Sequence, residues 1–192
     1  MKRIEEVYRE ILFRSMEKKE NNLTQSQLAS SLNISLSIVN LALEPLKRMN
    51  AIKVKNRGFD VIDKRKILYY WASIRNIEKD IVYETRVERP VMKIESEMPN
   101  DAIYGCYSAY KFKFKDVPAD YSEVYIYSND INEIKKRFPK KDNNPNLFIL
   151  KKDPNMKEMT LANIFVDLWN LKEWYARDFL NAVEERINGL LE

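Results

Sequence analysis

The sequence predicts an α+β chain in two parts: a three-helix unit closed by a short two-stranded hairpin, then a mixed α/β domain. Three observations predict it. Apolar residues recur at helical spacing in three stretches before residue 50, then switch to alternation over residues 51–62. The charge changes sign near residue 77, since residues 1–77 carry 15 Lys/Arg against 8 Asp/Glu and the remainder carries 18 against 21. Beyond that point, short apolar runs such as Val124-Tyr125-Ile126-Tyr127 interleave with helical patterns. With 45% apolar and 32% charged residues, the 192-residue chain has enough apolar surface for a folded core and is not of disordered composition.

In the first third, Ile4, Val7, Tyr8, Ile11, Leu12 and Met16 predict an amphipathic helix over residues 3–18. Leu23 is read as a briefly extended residue, and Thr24 as the N-cap of a helix running from Gln25 to about Leu32. Ser35 caps a third helix from Leu36 towards Met49, with Val39, Ala42, Leu43 and Leu46 turned inward. Pro45 lacks an amide donor, so a kink or break near Leu41–Pro45 is expected. Residues 51–55 alternate Ile52 and Val54 with Lys53 and Lys55, Asn56-Arg57-Gly58 is a turn, and Phe59, Val61 and Ile62 form the return strand.

Each special position has a mechanical reason. Ala29 is small where two helices cross, and Asn33 stands at a turn position that favours left-handed backbone. The run from Leu28 through Ser35 to Leu43 resembles the helix-turn-helix of bacterial and archaeal regulators. With the hairpin behind it, the arrangement resembles a winged helix-turn-helix, Asn50 standing where Gly is common. The resemblance implies duplex DNA as partner, with Leu36 to Met49 as the helix presented to the major groove. The candidate DNA-binding residues are Ser35, Ser37, Asn40, Lys47, Arg48, Lys53, Lys55 and Arg57. Asn40 can pair with adenine, and the serines with phosphates or bases. Lys47, Arg48, Lys53, Lys55 and Arg57 supply phosphate-seeking charge. Leu36 and Leu41 suit either thymine methyls or another subunit, while Glu44 repels phosphate. Backbone affinity is therefore better provided for than base specificity.

Asp63 caps a helix reaching about Asn76, and a domain boundary is placed there: residues 1–76 as the DNA-binding domain with its linker helix, residues 77–192 as a sensing or protein-interaction domain. In the latter, residues 81–87, 124–127 and 147–150 read as strands. Residues 100–111, a segment around Ile131, Ile134 and Phe138, and residues 158–171 and 172–191 read as helices. The stretch between Pro90 and Pro99 reads as irregular.

Four short motifs carry a second resemblance: Tyr104-Gly105-Cys106-Tyr107-Ser108-Ala109, Val124-Tyr125-Ile126-Tyr127, Phe148-Ile149-Leu150-Lys151-Lys152-Asp153-Pro154 and Val166-Asp167-Leu168-Trp169-Asn170. They resemble the C-terminal domain of AbiEi-like proteins, the antitoxin and repressor half of an abortive-infection toxin–antitoxin system. That resemblance implies a transcriptional regulator with a toxin, or another protein, as partner of the C-terminal domain; a homodimer is the other association considered.

Absent residues exclude much chemistry. The chain has no His and a single Cys, Cys106, so His-based catalysis, disulfides and the usual zinc cages are excluded. Three scattered Gly leave no P-loop and no dinucleotide fingerprint. No Gly-Ser turn precedes paired carboxylates as nucleotidyl transfer needs, and Glu133-Ile134-Lys135 spells a nuclease triplet within a helical pattern. Cys106 is read as a small buried hydrophobe. Tyr104, Tyr107 and Tyr110, with Trp169 and Trp174, suit either base stacking or the core. No apolar run approaches the ~18 residues of a membrane span. The expectation is a cytoplasmic, non-enzymatic DNA-binding transcriptional regulator of antitoxin or repressor type, with no cofactor, no metal and no membrane. The alternative is a nuclease- or nucleotidyltransferase-like enzyme with an accessory winged helix.

Overall fold

A computed structural model describes residues 1–141 and 143–192. Helix α1 (Arg3–Leu12) buries Val7, Tyr8, Ile11 and Leu12 along one face, and Phe13–Glu17 continue it as one wider, π-helical turn. The chain then forms β1 (Asn22–Leu23), α2 (Gln25–Leu32) and α3 (Leu36–Arg48). Thr24 caps α2 in a reciprocal box with Gln27, and the Ser35 hydroxyl accepts from the Ile38 amide to cap α3. Between them Asn33 stands at φ 51°, ψ 51°, the left-handed conformation that Asn tolerates. The hairpin strands β2 (Ile52–Val54) and β3 (Phe59–Val61) follow, and β3 lies between β1 and β2 with both pairings antiparallel. Gly58 turns the hairpin at φ 95°; a Cβ there would meet the Leu23 carbonyl oxygen at 2.2 Å. Asp63 then caps α4 (Lys64–Ile74).

Two expectations for this region are corrected. Helix α3 passes through Pro45 without a break. The bond that Pro45 cannot donate would have gone to Leu41, which is 64% exposed, so water can serve that carbonyl. Strand β2 buries only Ile52, leaving Val54 exposed along with Ile62; β2 is the edge strand of its sheet, and opposite Val54 it is Phe59 of the central strand that the core covers.

After one 3₁₀ turn (Glu78–Asp80) come β4 (Ile81–Thr85), α5 (Val91–Ser96), β5 (Ile103–Tyr104), α6 (Cys106–Phe114), β6 (Val124–Ser128), α7 (Ile131–Arg137), β7 (Leu147–Lys151), α8 (Leu161–Trp169) and α9 (Ala176–Ile187). The second sheet has the order β4-β7-β6-β5. Its β6–β7 pair is parallel across α7, and its other pairs are antiparallel. Two expectations are corrected here: the stretch read as irregular between Pro90 and Pro99 holds α5, and the helix read over residues 100–111 begins only at Cys106, its first part being β5. Gly105 sets the true boundary: its amide donates to the Tyr125 carbonyl at 2.8 Å, extending the β5–β6 pairing up to the first residue of the helix. The Tyr127 ring lies 3.2 Å from where a Cβ of Gly105 would be, so a larger residue is not accommodated without displacing that ring.

One sheet face, with Tyr83, Val124, Ile126, Leu147 and Ile149, packs on Ile94 of α5 and on Ile134 and Phe138 of α7 and its end. From the other face, Tyr125, Tyr127 and Leu150 join a single apolar core that includes α6, α8 and α9 and continues into α1, α3 and α4. Packing therefore crosses the junction near residue 77; the Tyr69 ring of α4 meets Phe165 of α8 edge-on at 5.5 Å. The fold is mixed α/β with two small sheets. Among the described residues no helix is long and apolar enough to cross a membrane.

Candidate nucleic-acid interface

Helix α3 is amphipathic because Val39, Ala42, Leu43 and Leu46 are wholly buried against the neighbouring helices. The opposite stripe, Leu36, Ser37, Asn40, Leu41, Glu44 and Arg48, is exposed along its length. Neither Ser37 nor Asn40 has a hydrogen-bond partner among the described residues, so the Asn40 amide can offer both a donor and an acceptor outward. Ser35 is exposed too, but its hydroxyl oxygen is engaged as the helix cap.

The basic candidates fall into two groups. Lys47 pairs with Glu44 at 2.8 Å, and Lys55 pairs with Asp60 across the hairpin. The Lys47 ammonium holds the Glu44 carboxyl below its ordinary range, so Glu44 stays ionised on the exposed stripe. Lys55, with help from the Asn22 amide, does the same for Asp60. Arg48, Lys53 and Arg57 are exposed and make no ion pair among the described residues. Arg57 stands beside Gly58 in the hairpin turn. The helix residues and the hairpin residues thus belong to one structural unit joined through Met49-Asn50-Ala51, where Asn50 adopts φ 55°.

The C-terminal candidates divide sharply. Tyr107 and Tyr110 are wholly buried, and burial raises both hydroxyls far from ionisation at neutral pH. Trp174, 80% exposed, stands furthest out in solvent, and Trp169 is exposed as well. The Cys106 thiol is fully buried, and burial pushes its pKa up, which opposes thiolate chemistry. Glu133-Ile134-Lys135 lies within α7, with Ile134 in the core. Among the described residues no three metal-ligating side chains gather.

The chain matches no protein-family model, no curated protein and no solved structure.

Two buried polar centres escape a reading of the sequence. The first is Arg75, whose guanidinium donates to Asp167 at 3.3 Å and to the Tyr127 hydroxyl at 3.1 Å and also pairs with Asp80. Asp167 further accepts from Tyr127 at 2.6 Å and from Asn163 at 3.0 Å. The second is Glu95, buried on α5, which accepts from Ser108, Lys111 and Tyr121 at 2.8, 2.6 and 2.6 Å. A Ser and a Lys three residues apart on one helix look catalytic in isolation. Here Ser108 is wholly buried and its hydroxyl donates to a carboxylate, so Ser108 and Lys111 tie α5 to α6, and Tyr121 ties it to the segment after α6.

Proposed function

We propose that residues 1–76 form a winged helix-turn-helix that binds duplex DNA, and that the chain is a transcriptional regulator of antitoxin or repressor type. The exposed stripe of α3 enters the major groove and the β2–β3 hairpin lies along the phosphates. One observation carries this reading: a capped helix whose exposed Asn40 side chain has no hydrogen-bond partner among the described residues shares a unit with a hairpin whose exposed Lys53 and Arg57 make no close ion pair among them. The left-handed Asn33 between α2 and α3 and the β1-β3-β2 order support it.

Phosphates are the principal ligand. Arg48, Lys53 and Arg57 reach them directly, and Lys47 and Lys55 exchange their solvent-screened carboxylate partners for phosphate oxygens. About five neutralised phosphates give a slope of log affinity against log salt near −4.5. Fluorescence anisotropy with a labelled duplex between low and physiological salt measures it, and a flat curve removes the proposal. The continuation of the C-terminal domain is read as protein contact, with a toxin or a second copy as partner.

A further inference from the structure

The four-stranded sheet carries a row of side chains that DNA binding does not use. Glu84 on β4 stands in register with Phe148 on β7, and Phe148 with Tyr125 on β6, so the three share one face on adjacent strands. The Phe148 and Tyr125 rings are stacked, with centroids 4.7 Å apart and planes 13° from parallel. That separation equals the ~4.8 Å spacing of neighbouring strands, so the stack runs across the sheet and its next place lies above β4. Among the described residues no other ring stacks on Phe148. A cleft of about 640 Å³ opens there, floored by Val82 and Phe148 and closed on one side by residues 170–173. This volume is in the ~300–1,000 Å³ range of small-molecule sites.

The rim supplies polarity. The Glu84 carboxylate has no hydrogen bond or ion pair among the described residues, although it is half-buried beside aromatic rings. Glu173 is held in place by the Tyr107 and Tyr125 hydroxyls, both at 3.0 Å, and Lys172 pairs with Glu78. Three carboxylates against Lys140 and Lys172 leave the rim negative.

We propose that this cleft binds an uncharged, nitrogen-rich heteroaromatic of purine-nucleoside size, stacked on Phe148 with its N–H edge donating to Glu84. Guanine fits this chemistry, because a ring N–H and an amino group lie side by side on one edge. The negative rim disfavours the 5′-phosphates of the same nucleoside. The site lies wholly outside residues 1–76, so its test does not depend on DNA binding.

Guanosine titrated calorimetrically into the full chain, with guanosine 5′-monophosphate in parallel, tests the proposal. One saturable site is expected, with the monophosphate weaker. Phe148→Leu keeps apolar bulk without a stacking face, and Glu84→Gln keeps shape without charge; each weakens guanosine about tenfold or more. Glu84→Gln alters one partly exposed position and serves as the deciding variant where Phe148→Leu disturbs the fold. No saturable binding of guanosine up to about 1 mM overturns the proposal, as does binding that Glu84→Gln leaves unchanged.

Discussion

Arg9 faces Asp153 with its two terminal nitrogens 2.6 and 2.7 Å from the two carboxylate oxygens, and both side chains are about 5% exposed. Removing one member strands a buried charge, so Arg9→Met costs about 3–5 kcal/mol in urea unfolding, and adding Asp153→Leu restores most of it. The Arg9 guanidinium also holds the Asp153 carboxyl below its ordinary range despite burial, and the sign follows. The contribution is present above the unfolded pKa near 3.9 and is lost as pH falls through the lower folded value. Asp153→Asn therefore flattens the acid side of stability measured from pH 7 down to pH 3. Asn40 and Arg57 are separable at the same scale. Arg57→Ala weakens every duplex alike and lowers the salt slope by about one. Asn40→Ala costs roughly 1–3 kcal/mol on the cognate site only, and an unchanged ratio of cognate to scrambled affinity removes α3 as the reader. Asn33, Ser35 and Asp63 were legible because their roles are local. Arg9 and Asp153, 144 residues apart, were not.

Helix α3 and the hairpin are the elements on which DNA binding would turn. Gly58 is the hairpin's weak point: Gly58→Ala must leave φ 95° or push aside the Leu23 carbonyl. It costs about 2 kcal/mol or more by thermal or urea unfolding, and the loss of hairpin geometry weakens DNA binding with it. Pro45→Ala has the opposite sign. The new amide can donate to Leu41 in an already continuous helix, so stability rises by about 1–2 kcal/mol and α3 keeps its bounds. A fall in stability would show that Pro45 packs in a way its helix position does not reveal. Elements with strong periodicity, α1 to α4 and β6 to β7, were readable from the chain; α5 and β5 were not. Helix α5 spans six residues and β5 two, too few to show a period, and each exists because Ile94, Glu95 and Tyr104 find partners elsewhere in the fold.

At the scale of the molecule, the change of charge near residue 77 suggests two independent halves, yet the apolar core runs from Val7 to Leu191 without regard to it. Arg75 fastens the two sides by reaching Glu5 on one and Asp80 and Asp167 on the other. A single cooperative transition is expected in calorimetry of the full chain, with equal calorimetric and van't Hoff enthalpies. Two resolved transitions would show that the segments 1–76 and 77–192 fold separately. A shared core also makes any ligand in the Phe148 cleft a stabiliser of the whole chain, since binding to the folded state alone raises its stability.

The sequence by itself determined the helical and extended segments of the first third, their caps and turns, the basic hairpin tip and the exclusion of His-dependent chemistry. Those properties depend on residues within one or two turns of each other, or on composition, and the chain states both directly. Tertiary structure alone decided which charges are free and which are paired, which tyrosines are core, and where the second sheet leaves a face uncovered. Lys55 meets Asp60 only once the hairpin closes, Tyr107 of α6 meets Glu173 only once the link between α8 and α9 comes against it, and Glu84, Phe148 and Tyr125 form a row only in the β4-β7-β6 order. Such contacts depend on strand order and helix packing, which no local spacing encodes.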